Sequence, residues 1–163
     1  MSDLPAVLRL QDKGSGRWVA PNPETDQEGW DVVFSGQLLG QMIMAASSDD
    51  KQVKSIHAVF ARAGRYSAGP LDLDVESMHA GRAWASSTVT ASQGDKLLSR
   101  ALVLANTVEP DLIRHAPSMP EVPGPEQCES GGAGAVFPDA EMRMVEQTDE
   151  PVTSVWVRGS RSV

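Results

Sequence analysis

The sequence predicts an α+β domain in which one early helix packs against a curved antiparallel sheet. Three observations carry that expectation. Residues 32–48, VVFSGQLLGQMIMAASS, contain no Lys, Arg, Asp or Glu, so the segment has no charged face to offer water. Residues 71–76, LDLDVE, alternate apolar and acidic side chains with the period of a half-buried strand. The long strand-like stretches after the helix are joined by short Gly-containing turns, HAGR at 79–82 and QGDK at 93–96, which favour an antiparallel meander.

The helix begins after a strand-like VVF. Ser35 is placed to cap it, because its hydroxyl oxygen can accept from free first-turn amides. Leu38, Met42 and Ala45 form one stripe and Leu39, Ile43 and Ala46 the next, so the helix is expected to be apolar nearly all round and therefore buried. Gly36 and Gly40 would let a sheet approach closely on the remaining side. Strands follow at 53–62 (Ile56, Ala58 and Phe60 on one face), 71–77, 83–92 and 97–106. One helix followed by four sequential strands is an α+β pattern, assigned to residues 1–106. Residues 107–140 hold six prolines and four glycines and read as a linker. Beyond it, EMRMVEQ (141–147) and VTSVWVRG (152–159) read as two short strands.

Composition narrows function. A chain of 163 residues fits one domain with a tail or partial second unit. Its net charge of −8 argues against nucleic acid, whose binding draws on clustered basic residues. A phosphorylated ligand remains compatible through a few arginines; Arg62, Arg65, Arg82, Arg100 and Arg114 are the candidates. The single cysteine, Cys128, permits no intrachain disulfide and suggests a reducing compartment. The longest apolar run is too short to span a bilayer, and residues 1–10 lack the pattern of a secretory signal; a cytoplasmic protein without membrane partners is expected. Three scattered histidines and one cysteine provide no metal-ligand spacing, and neither a Gly-rich phosphate loop nor G-x-S-x-G occurs, so no metal or cofactor is expected.

The run from VVFSGQLLGQMIMAAS through VKSIHAVFARAG, LDLDVESMHAGRAWASSTVTASQGDKLL and HAPSMPEVPGP resembles the acyl-CoA thioesterase II family, specifically the N-terminal half of those double-hotdog proteins. The resemblance covers more than half the chain. It implies the hotdog fold, a curved antiparallel sheet around a central helix, and an acyl-CoA or acyl carrier protein thioester as partner. It also implies that the catalytic Asp, Thr and Gln of the family lie in a second repeat, of which residues 141–159 resemble only the first strands. When the second repeat is laid on the first, the Asp falls near Ser55, the Thr near Met78 or His79, and the Gln near Ala105 or Asn106, so the family's triad is not reproduced.

Thioester hydrolysis needs a polarised carbonyl and an activated water. A helix start offers amide N–H groups and a positive dipole end; Ser35, Gly36 and Gln37 would supply them. His57, mid-strand, and His79, in a turn, are candidate bases near neutral pH. Asp31 stands shortly before the helix, where a carboxylate could serve. Gln41 could hold a water or the thioester carbonyl, as could Gln37, or either could bond a neighbouring subunit. Ser55, Arg62 and Arg82 are candidate substrate contacts. The expectation is a thioesterase-like protein working as a homo-oligomer, a dimer or a dimer of dimers. Two alternatives stand beside it: a catalytically inactive acyl-binding half-repeat or subunit needing a partner, and a dehydratase-like lyase on carrier-bound acyl groups.

Overall fold

The computed structural model describes residues 4–23, 31–48, 50–110, 115–131, 140–145 and 153–159. The chain divides into two compact units, Met1–Pro110 and Asp111–Val163.

In the first unit a short helix α1 (Leu4–Val7) leads into a hairpin, β1 (Gln11–Gly14) and β2 (Arg17–Ala20). Helix α2 (Ser35–Ala46) follows, then β3 (Gln52–Phe60), β4 (Leu71–Ala80), β5 (Trp84–Gln93) and β6 (Lys96–Asn106). The six strands form one antiparallel sheet in the order β1-β2-β4-β5-β6-β3. β4, β5 and β6 are the expected meander, while β3 leaves the helix and runs to the far edge beside β6. The hairpin ahead of the helix was not anticipated. Its strands are four residues each and bear Asp12, Lys13 and Arg17, so they lack a readable alternation; β2 is held instead by pairing Arg17–Ala20 against Leu71–Asp74 of β4.

Alternation in β4 matches the sheet. Leu71 and Leu73 are buried and Val75 is half-buried, with Asp72, Asp74 and Glu76 exposed on the other face. On β3, Ile56 and Ala58 pack on the core, whereas Phe60 is exposed at the strand end. β4 runs through Ala80, so His79 lies in the strand rather than in the turn.

Two expectations for α2 are corrected. Its N-cap is Phe34, which makes no side-chain cap bond, and Ser35 is the first helical residue and exposed. The helix also buries one stripe only: Leu38, Gln41, Met42 and Ala45 lie inward, while Gly36, Met44 and Ser47 are exposed and Leu39, Gly40 and Ile43 half-exposed. The sheet curves around that buried side, with α2 touching β3, β4, β5 and β6. Burying side chains the size of Leu38 and Met42 contributes about 1.5–3 kcal/mol each, enough to fix the helix on Leu71, Leu73, Val89, Ala101 and Val103. The glycines differ from expectation as well. A Cβ at Gly36 would meet the Phe34 ring first, and one at Gly40 would meet Leu8 at 3.1 Å, so the nearest neighbours of both are side chains from the preceding chain.

In the second unit β7 (Glu129–Gly131), β8 (Ala140–Met144) and β9 (Val155–Gly159) make an antiparallel sheet in that order. β7 lies within the stretch whose proline and glycine content suggested a linker. Glu141 on β8 accepts from Arg143 at 2.8 Å on its own strand and from Arg158 on β9. The Trp156 indole donates to Pro123 O at 2.9 Å.

Candidate active site

The start of α2 is built by a loop distant in sequence. After β3 the chain passes Gly64, Arg65 and a 3-10 turn at Tyr66–Ala68 before entering β4. Val33 N–H donates to Gly64 O at 2.9 Å, and Phe34 N–H donates to the Tyr66 hydroxyl at 3.3 Å. That hydroxyl in turn lies 3.4 Å from Gln37 Oε1, to which it donates. Gln37 Nε2 is buried with no partner among the described residues.

The loop is itself anchored by two primary amides. Asn22 Nδ2 donates to Arg65 O at 2.9 Å and Gly69 O at 2.8 Å, and Gln93 Nε2 donates to the same two carbonyls at 2.8 Å each. Gln93 Oε1 accepts from Arg65 N–H at 3.0 Å. Both residues are buried, where an unmade hydrogen bond costs most.

The helix start therefore presents the exposed residues Ser35 and Gly36, with no cap bond from the Phe34 side chain, and the Gln37 amide beside them. Unsatisfied N–H groups at the positive end of a helix dipole suit a carbonyl oxygen that gains negative charge.

This arrangement has relatives. The profile of the acyl-CoA thioesterase N-terminal domain matches residues 24–107. The chain belongs to that family. Mouse acyl-coenzyme A thioesterase 8 is 34% identical over 97 residues, which are 58% of this chain and 30% of the mouse protein. A tesB protein from Mycobacterium avium subsp. paratuberculosis superposes with a TM-score of 0.81 at 27% identity, covering 99% of this chain and 62% of its own. A hot dog fold protein from Alicyclobacillus acidocaldarius does so with a TM-score of 0.75 at 16% identity, covering 98% and 63%. The fold is the α+β hotdog. The chain spans about a third of the length of the curated relatives it matches.

Within this thioesterase-family unit the candidate residues separate. Gln37, Ser35 and Gly36 sit together at the helix start. Gln41, one turn on, is fully buried and donates both amide hydrogens, to Val7 O at 2.9 Å and Pro21 O at 2.8 Å; it clamps the N-terminal segment and has no hydrogen left for a ligand. His57 and Ser55 are exposed on β3, opposite Leu102 and Leu104 of β6. Their strand neighbours Ile56 and Ala58 face the core, so His57 and Ser55 occupy the sheet face turned away from α2. His79 is exposed on β4 with its ring near Gly81. Arg62 and Arg82 are exposed in the connections that follow β3 and β4, and Arg100 donates to Thr90 Oγ1 at 3.2 Å. Arg114 lies outside the described residues.

Asp31 is bound to the loop. Its carboxylate accepts from Ser67 N–H at 2.8 Å, Ser67 Oγ at 2.7 Å and the Arg65 guanidinium at 3.3 Å. The Ser67 hydroxyl and amide, with Arg65 behind them, hold the carboxyl below the usual carboxylate range, so it is a poor proton acceptor. A carboxylate with a depressed folded pKa adds stability above its unfolded pKa, near 4, and loses it as pH falls through the lower folded value. Asp31→Asn is therefore expected to melt below the parent protein at neutral pH, with the gap closing as pH drops below about 4. Parallel thermal melts across pH check this; a gap that persists unchanged in acid would refute it.

Tyr66, Asn22 and Gln93 were not legible as site residues. Tyr66 is the only tyrosine in the chain, but nothing local says that it meets residues about thirty positions earlier.

Proposed function

We propose that the chain is the acyl-thioester-binding hotdog of an acyl-CoA thioesterase, with the α2 start holding the thioester carbonyl and the open side of α2 lying along the acyl chain. The observation that carries this reading is the buried Gln37 Nε2, without an acceptor among the described residues, beside the first turn of α2. Leu39, Ile43 and Met44 supply apolar surface on the open side. The unit acts as a dimer of hotdogs: β3 is a nine-residue edge strand paired only with β6 among the described residues, and an unpaired edge of that length is a template for a second strand. The water-activating group comes from the second hotdog, since His57 faces away from α2 and Asp31 is tied to Ser67.

Purified protein is expected to sediment as a dimer and to release free thiol from medium- or long-chain acyl-CoAs. Gln37→Ala should lower kcat/KM about 10²-fold, as loss of one oxyanion donor does. No turnover above background, with Gln37→Ala making no difference, would sink the hydrolytic reading. The placement of His57 favours a second reading, an acyl-binding half that needs a partner for hydrolysis. Calorimetric binding of acyl-CoA without product would select it, and absence of any binding would reject both.

A further inference from the structure

Three buried side-chain amides are incompletely satisfied, and they differ in kind. Asn22 and Gln41 each spend both hydrogens and leave only an oxygen without a partner, at Oδ1 and Oε1. Gln37 is the reverse: its oxygen is engaged and its Nε2 is buried with no acceptor among the described residues. Under-used buried acceptors are tolerated fairly often, whereas orphaned buried N–H groups are rare. Such a donor is retained where something brings it an acceptor.

Tyr66 sets this polarity. Its oxygen accepts from Phe34 N–H at 3.3 Å, so its own proton is free to be given, and Gln37 Oε1 lies within reach at 3.4 Å. With Oε1 turned to the phenol, Nε2 is turned away from it. The phenol is placed by the anchored loop: the carbonyls of Arg65 and Gly69 on either side of the 3-10 turn are each held by Asn22 and Gln93, and Ser67 within it by Asp31. Tyr66 is half-buried and its ring packs on the core. The hydroxyl thus joins the residue before the helix to the third helical residue, as an N-cap side chain would, but from the other side of β3 in sequence.

We infer that Tyr66 is a positioning residue for acyl recognition: its hydroxyl locks the Gln37 amide so that Nε2–H faces the carbonyl oxygen of a bound acyl thioester. This rests on the reading given under Proposed function. The ligand chemistry required is a strong acceptor, which a thioester carbonyl oxygen supplies and a thioether sulfur, a weak acceptor, does not.

The test compares two non-hydrolysable probes on the full chain, an S-(2-oxoalkyl)-CoA that keeps a carbonyl oxygen and the matching S-alkyl-CoA that lacks it. Tyr66→Phe keeps the ring and removes only the hydroxyl; circular dichroism and thermal melting verify that it folds. The variant is expected to bind the ketone probe about tenfold more weakly, the scale of one hydrogen bond, and the thioether as the parent does. Gln37→Ala should show the same split, and the double variant no further loss, because both act through one contact. Parent-like ketone binding in Tyr66→Phe, or equal loss for both probes, overturns the role of Tyr66 alone. Failure of the parent protein to bind the ketone probe overturns the acyl-thioester reading together with it.

Discussion

Gln41→Ala is expected to destabilise the first unit by about 2–4 kcal/mol, through a cavity and two carbonyls deprived of their donor. Gln41 is fully buried on the inward stripe of α2, and its amide bridges Val7 O at 2.9 Å and Pro21 O at 2.8 Å. It therefore ties the segment before β1 and the end of β2 to the helix in one contact. Gln41→Met separates the two contributions, since it keeps most of the volume and removes only the donors; about 1–3 kcal/mol should remain. Denaturant midpoints followed by circular dichroism measure both variants, and amide exchange near Val7 should quicken in each. A loss below about 0.5 kcal/mol for Gln41→Ala would show that water replaces the amide and that the clamp is not structural.

Met42→Ala should cost about 2–5 kcal/mol, the range for truncating a large apolar side chain in a core. Met42 has no exposed surface and lies where the helix meets Leu71, Leu73 and Val89. Met42→Leu should cost less than about 1.5 kcal/mol, because volume is nearly conserved. The contrast matters because the helix rests on the sheet along one stripe only. With Leu38, Met42 and Ala45 making up the apolar part of that stripe, a void at Met42 opens in the middle of the contact. Equal thermal midpoints for the alanine and leucine variants would argue that the helix is not seated as described.

The amphipathic pattern of β4 and the uncharged run of α2 were legible because each records local burial at the chain's own period. Leu71, Leu73 and Val75 against Asp72, Asp74 and Glu76 place that strand's two faces without reference to any neighbour. The same reading over-interpreted α2. A helix without charges looks buried on every side, yet the sheet covers one stripe and leaves Met44 and Ser47 exposed; apolar composition reports that surface will be covered, not what covers it. The hairpin β1–β2 was not visible because its four-residue strands are too short for a readable alternation and draw their stability from pairing with each other and with β4. Ser35 looked like a cap on residue type, but the chain enters the helix one residue earlier, at Phe34.

The candidate site divides along the same line. Ser35, Gly36 and Gln37 were found because a helix start is a local property, written in a small-residue opening and an apolar run. Sequence alone thus determined the α+β class, the strand faces and the place where the helix begins. Only the folded chain decided which polar groups serve that place: Asp31 is taken by Ser67, Gln41 by Val7 and Pro21, and His57 by the far face of the sheet. Tyr66 enters for the same reason, across 29 residues from Gln37. Periodicity encodes what each residue does relative to its own backbone axis. A hydrogen bond between side chains distant in sequence depends on loop path and strand order, and these are set by the packing of the whole unit.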